Sequence, residues 1–253
     1  MTEKEKQNNL HLFGLLGKNI SYSFSSGYFN EKFEVSALIN YRYQNFDIQS
    51  IEDFPAILKL HRLRGMNVTI PYKEEIIPFL DEIDTEAQEI GAVNTIKFLE
   101  SGKLKGFNTD VFGFQNSIEP LLEEHHKKAL ILGTGGASKA IAFALQKMNI
   151  NFNFVSRNPK AENEILYSNL TEEIITSSKI IINSTPLGTF PETDLCPQIP
   201  YQYITSKHLL FDLIYNPDVT TFLQKGKNMG ANIKNGLEML ELQAEKSWQI
   251  WNP

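Results

Sequence analysis

Strand-like and helix-like segments alternate along this chain from end to end, and that alternation restricts it to a small set of folds. His11–Gly17, Tyr41–Ile48 and Gly65–Ile70 read as strands, with helices over Ser25–Ala37 and Ile51–Leu63 between them. Ser25 is the expected N-cap of the first helix, and Pro71 is expected to open another, since proline suits the first helical position. Asp84 should cap a helix over Thr85–Ile90 that Gly91 ends. Val93–Leu99 and Leu104–Asn108 read as a hairpin turning at Ser101-Gly102. In the second half, Ala129–Leu132 is short and wholly apolar, as strands buried in parallel sheets are. A glycine-rich turn and the Ala-rich helix Ala137–Met148 follow it. Asn151–Val155, Ile180–Asn183, Leu209–Leu213 and Asn232–Lys234 are further strands, Val219–Asn228 a helix and Gly236–Trp251 a long closing one. The pattern predicts an α/β fold with a parallel sheet covered on both faces. The join between the halves falls near Asp110–His126.

With 253 residues, 42% of them hydrophobic, the chain can bury one large core or two modest ones. The net charge is -6, with acids and bases mixed and no Lys/Arg-rich run, which argues against nucleic acid as a partner. An anionic ligand would therefore need local positive groups. Cys196 is the only cysteine, so no intrachain disulfide forms, and a reducing compartment is expected. No apolar stretch is long enough to span a bilayer, and the polar leader Met1–Asn9 lacks the apolar core of a signal peptide. The expectation is a cytoplasmic protein without a membrane partner. The five histidines (His11, His61, His125, His126, His208) show no metal-ligand spacing, so no metal site is expected, and His125-His126 reads as solvated.

The run Gly133-Thr134-Gly135-Gly136-Ala137-Ser138 sits between the apolar strand and its helix. Gly133 suits the tight turn, Gly135 lets a phosphate approach the backbone, and the helix start offers N–H groups to a pyrophosphate. Ser138 holds the third motif position, where glycine or alanine is usual. A plain strand-to-helix turn is the competing reading; the strand-turn-helix context favours a dinucleotide. The next strand ends in Ser156-Arg157-Asn158, without the carboxylate that grips the ribose of NAD. Arg157 can pair with a 2′-phosphate, so NADP(H) is the expected cofactor, with Ser138 and Lys160 as weaker contacts.

Several further segments, in order, resemble the shikimate dehydrogenase family. They are Asn67-Val68-Thr69-Ile70-Pro71-Tyr72-Lys73, Gly91-Ala92-Val93-Asn94-Thr95, Gly106-Phe107-Asn108-Thr109-Asp110, Asn183-Ser184-Thr185-Pro186-Leu187-Gly188, and Gly236-Leu237-Glu238-Met239-Leu240 with Gln243. The resemblance implies a two-domain α/β enzyme. A substrate domain would span residues 1–110 with 237–253, a Rossmann-type NADP-binding domain residues 111–236, and the C-terminal helix would return to the first domain. It further implies reduction of 3-dehydroshikimate to shikimate, in a monomer or homodimer. Lys73 and Asp110 would be the catalytic pair. Ser23, Ser25, Asn67, Thr69, Asn94, Tyr215 and Gln243 would bind substrate, the two serines at its carboxylate. Thr185, Leu213 and Gly236 would join the cofactor side. Tyr22 and Ser26 depart from the family pattern, which has His and Pro there.

Each assignment has a plainer competitor. Lys73 could be a surface lysine, Asp110 a helix cap, the asparagines turn residues, Ser23 and Ser25 simple caps, Tyr215 a core aromatic and Gln243 a surface residue. Lys73 is expected in the first turn of the Pro71 helix, whose positive end would disfavour an ammonium, while Asp110 would favour it; the two are read as one coupled unit. Two alternatives to the main reading stay open: a quinate or quinate/shikimate dehydrogenase, and a catalytically weak NADP-binding sensor on the same fold.

Overall fold

The computed structural model describes residues 10–20, 23–60 and 62–252. The leader Met1–Asn9, Tyr22 and His61 lie outside the described residues. The chain divides into two units, Met1–Thr109 with Ala244–Pro253, and Asp110–Gln243.

The first unit contains β1 (His11–Gly17), α1 (Phe24–Val35), β2 (Tyr41–Asp47), α2 (Phe54–Leu60), β3 (Leu63–Val68), β4 (Glu82–Ile83), α3 (Thr85–Ile90), β5 (Thr95–Phe98) and β6 (Leu104–Phe107). The strands form one six-stranded sheet in the order β2-β1-β3-β5-β6-β4. β1 runs parallel to β2 and β3, while β5 and β6 are the expected hairpin, antiparallel to each other and β5 to β3. Side chains alternate across a strand, and β1 accordingly feeds two cores. Phe13 and Leu15 pack with Phe29 and Phe33 of α1, whereas Leu12 and Leu16 join Phe54, Met66 and Ile96.

The second unit contains α4 (Asp110–Ile118), β7 (Lys128–Leu132), α5 (Gly136–Lys147), β8 (Asn151–Ser156), β9 (Glu164–Leu166), α6 (Glu172–Ser177), β10 (Ile180–Asn183), β11 (Leu209–Asp212), α7 (Thr221–Asn228) and β12 (Asn232–Lys234). Its six strands are all parallel, in the order β12-β11-β10-β7-β8-β9. The order reverses between β7 and β10, which makes their carboxyl ends the switch point where open α/β sheets bind ligands. Leu130, Ile181 and Leu210 face one core with Phe222 and Leu223 of α7. Phe114 of α4 meets Phe211 edge-on, with ring centroids 5.1 Å apart.

The last helix, α8 (Leu237–Trp251), supplies its final turns to the first unit. Trp248 packs on Phe13, Phe33 and Tyr41, and the Trp251 indole donates to Ile96 O at 3.0 Å. Among the described residues no helix is long and apolar enough to cross a membrane.

Several sequence expectations need correction. Ser23, not Ser25, caps α1: its backbone is extended and its hydroxyl accepts from Ser26 N–H. The segment expected as one helix to Leu63 begins as a 3-10 turn over Ile51–Asp53 and ends at Leu60. Pro55, which has no N–H to donate, falls in the first turn of α2. No helix starts at Pro71. The chain turns there, with Tyr72 N–H donating to Thr69 O at 2.9 Å across the cis Ile70–Pro71 bond, and only a 3-10 turn at Ile77–Phe79 follows. β3 therefore stops at Val68. His126 is buried rather than solvated, its Nδ1 accepting from Glu123 N–H, and burial lowers its pKa. The short elements β4, β9 and α6 carried too little periodicity to be read from sequence.

Candidate active site

The glycine turn joins β7 to α5 at the switch point, as its sequence predicts. Gly133 has φ +107°, and a Cβ there would lie 3.0 Å from Ser184 Oγ and 3.2 Å from Thr185 Cγ2. Glycine is thus required both by conformation and by the approach of the loop after β10. Gly135 is the N-cap of α5 and has no side chain to occupy the first-turn N–H groups; a Cβ built on it meets nothing within 4 Å. An extended, open cap followed by Gly136 and Ala137 leaves room for an anion at a helix start. Ser138 is different. Its side chain and N–H both turn to Gly135 O, at 2.5 and 3.0 Å, and it is fully buried. Both groups close the turn onto the N-cap residue.

Ser156 ends β8, and its hydroxyl accepts from Asn158 N–H at 3.2 Å, which turns the chain and leaves Arg157 exposed. Lys160 is exposed as well, and its N–H is held by Glu164. These features fit a phosphorylated dinucleotide: an open glycine turn for the pyrophosphate, and a guanidinium at the end of the second strand for a further phosphate.

The loop after β10 is pinned from below. Asn183 and Asp212 are register partners at the carboxyl ends of β10 and β11, both fully buried. The Asn183 amide donates to Asp212 Oδ1 at 3.0 Å, while its carbonyl accepts from Thr185 N–H at 3.0 Å and Thr185 Oγ1 at 2.7 Å. Asp212 also accepts from Ile214 N–H at 3.1 Å and Thr220 Oγ1 at 2.6 Å. Burial pushes its carboxyl up to about 6, against those hydrogen bonds, which lower it. Leu213 N–H donates to Asn183 O, and Gly236 N–H to Ile214 O. A Cβ on Gly236 would sit 2.1 Å from Leu213 O, so the two segments touch through backbone. Tyr215 follows, half-buried.

In the first unit, Asn67 and Asn94 belong to one buried polar cluster, which Ser25 touches through Tyr43. Tyr43 of β2 donates its phenol to Asn67 Oδ1 at 2.8 Å. Burial holds that phenol well above its usual pKa, with a hydrogen bond from Ser25 opposing. The Asn67 amide reaches Asn94 O at 3.2 Å, Thr95 Oγ1 at 3.1 Å and Ser247 Oγ at 3.0 Å. Its amide hydrogens and one lone pair of its carbonyl oxygen are thus engaged by the protein. Asn94, also buried, accepts from Thr109 N–H at 2.8 Å and exchanges further bonds with the Thr95 and Thr109 hydroxyls. Ser247 bonds to Thr95 Oγ1 at 2.8 Å and to Thr109 Oγ1 at 3.2 Å.

Ser23 donates to Asn45 Oδ1 at 2.9 Å, and Ser23 and Ser25 are both half-buried. Thr69, also half-buried, hangs from Leu16 O. Lys73 lies in the turns after Pro71, partly exposed, its carbonyl taking Val93 N–H at 2.7 Å. Without a helix starting at Pro71, the expected helix dipole does not act on its amine. Asp110 is the first residue of α4 and buried, and Gln243 of α8 is buried too, its amide on Leu240 O. Sequence reasoning missed Tyr43, Thr95, Ser247 and Asp212. A buried tyrosine or aspartate gives no local signal; Thr95 lies within the Gly91–Thr95 segment and Asp212 beside Leu213, and neither was given a role there.

The all-parallel sheet, the reversal of strand order and the glycine turn set at that reversal make the chain a dinucleotide-binding α/β protein. Comparison with known proteins sharpens this. The profile described as "Shikimate dehydrogenase substrate binding domain" matches residues 15–96. The shikimate dehydrogenase (NADP(+)) of Methanococcus maripaludis is 40% identical over 95% of this chain and 91% of its own. The crystal structure of shikimate dehydrogenase 1 from Peptoclostridium difficile matches with a TM-score of 0.83 at 40% identity, covering 96% of this chain and 91% of that one. The Thermus thermophilus shikimate 5-dehydrogenase, solved in complex with NADP(H) and shikimate, matches with a TM-score of 0.84 at 31% identity, covering 96% and 94%. The chain belongs to the shikimate dehydrogenase family.

Proposed function

We propose that the chain is an NADP-dependent shikimate dehydrogenase, catalysing the reversible reduction of 3-dehydroshikimate to shikimate. The observation that carries this reading is the 40% identity to an NADP-dependent shikimate dehydrogenase across 95% of the chain. The glycine turn and the exposed Arg157 fit the cofactor, and the absence of a carboxylate at Ser156-Arg157-Asn158 favours its phosphorylated form. When bound, NADPH supplies the hydride.

The protein's own residues do the rest. Lys73 gives a proton to the ketone oxygen as it becomes a hydroxyl, and takes it back in the reverse direction. Asp110 stabilises and orients the charged amine. Ser23 and Ser25 bind the substrate carboxylate, with Tyr215 lining that end; Asn67, Thr69, Asn94 and Gln243 contact its hydroxyls. Asn67 also holds Asn94 and the Tyr43 side chain in place. Gly133, Thr134, Gly135, Gly136 and Ala137 cradle the pyrophosphate, Ser156, Arg157 and Asn158 the adenosine end, and Thr185, Leu213 and Gly236 the nicotinamide end. The reducing compartment expected from a single cysteine supports a cytoplasmic location.

The deciding measurement is NADPH absorbance with 3-dehydroshikimate, alongside quinate with NAD. Substrate-dependent oxidation of NADPH is expected. Faster turnover of quinate with NAD would favour the quinate enzyme, and tight NADPH binding without turnover would leave only the sensor.

A further inference from the structure

The geometry points to a positioning relay, Thr220–Asp212–Asn183–Thr185, that presets the nicotinamide-side loop before any cofactor arrives. It deepens the reading above, since it takes the loop after β10 to meet the nicotinamide.

The four residues form an unbroken hydrogen-bonded chain inside the second unit. Thr220, the N-cap of α7, donates to one oxygen of Asp212, and Asn183 donates to the other. Asn183 then grips Thr185 twice, through its N–H and its hydroxyl, and its amide also reaches Leu187 O at 3.4 Å. Thr185 Oγ1 in turn accepts from Leu187 N–H. One side chain thus holds the loop at both Thr185 and Leu187. The carboxylate clamps the neighbouring segment through Ile214 N–H. Leu213 and Ile214 thereby stay in register with the same loop.

Among the described residues no cationic partner of Asp212 is seen; burying such a carboxylate is costly, and this one is desolvated enough to raise its pKa. Tyr201, whose phenol feels the Asp212 charge, is held above its usual pKa chiefly by burial and stays neutral. A neutral acceptor could hold the Thr220 hydroxyl equally well. What a carboxylate adds is acceptor capacity for three donors from three segments at once, and hence one shared geometry for two loops. Asn183 joins the carboxylate to the loop, because an amide carries a donor for Asp212 and an acceptor for Thr185.

The test uses Asn183→Ala and two probes. Adenosine 2′,5′-bisphosphate carries the adenosine and phosphate but no nicotinamide; NADPH carries both. The variant should bind NADPH about tenfold more weakly while holding the bisphosphate at wild-type affinity, the scale of one lost charge-assisted hydrogen bond. A variant that loses both probes in equal proportion, or keeps wild-type NADPH affinity, overturns the relay alone. A wild-type chain that binds neither probe overturns the cofactor reading and the relay with it. Amide exchange on the unliganded wild type gives a reading independent of how the variant folds. The Thr185 N–H should be strongly protected; exchange at the rate of an open loop overturns the preset geometry.

Discussion

The Tyr43 phenol donates to Asn67 Oδ1 at 2.8 Å, with both residues buried. The bond fixes which way the Asn67 amide points. With its oxygen taken, the nitrogen must face Asn94 O, Thr95 and Ser247. A side chain on an edge strand thus orients the core of the polar cluster.

Tyr43→Phe should test this. It leaves a buried amide oxygen without its donor and should cost about 1–2 kcal/mol of stability in urea unfolding. The Michaelis constant for shikimate should rise as Asn94 loses its backing, with NADPH affinity unchanged. An unchanged constant for shikimate would confine Tyr43 to a purely structural role.

Lys73→Ala should lower kcat by roughly 100-fold or more, the scale of a lost acid–base group, and Asp110→Asn should do so as well. NADPH affinity, measured by fluorescence titration, should stay near wild type in both. A parallel loss of NADPH binding would show that these residues serve the cofactor instead.

Arg157→Ala should weaken NADPH by about tenfold or more and NADH far less, since only the former carries the phosphate a guanidinium pairs with. Equal weakening of the two would remove the phosphate-binding role.

Asp212 predicts a pH dependence of stability. Its carboxyl is raised from 3.8 to about 6 in the folded chain. Between those values the folded state binds more protons than the unfolded one, so this group makes stability fall as pH rises through that window. The full effect is up to about 3 kcal/mol. Asp212→Asn removes it, so the variant should gain stability relative to wild type between about pH 3 and about pH 7, two values that bracket the window. A flat difference across urea melts at those values would refute the desolvation.

Much of this architecture was legible because its signals are local. Asp84 and Gly91 bracket α3, Gly102 turns the hairpin, and Gly133 follows an apolar strand, each within a few residues of the element it defines. Pro71 misled because the same residue type opens helices and closes turns, and the choice lies in the backbone of Thr69 and Tyr72. The polar cluster was invisible for a different reason. Asn67 and Ser247 are 180 positions apart, and no periodicity links β3 to α8. The resemblance supplied Asn67 and Asn94 but said nothing of the hydroxyls that hold them.

That the first unit includes Ala244–Pro253 has a consequence for how the protein is made. Phe13, Phe29 and Phe33 are translated early but wait for Trp248 and Trp251 to cover them. On the ribosome, the part synthesised first is therefore completed last. During that interval its aromatic face is available to chaperones, while the intervening sheet, whose strands all lie between residues 128 and 234, can close as soon as it emerges.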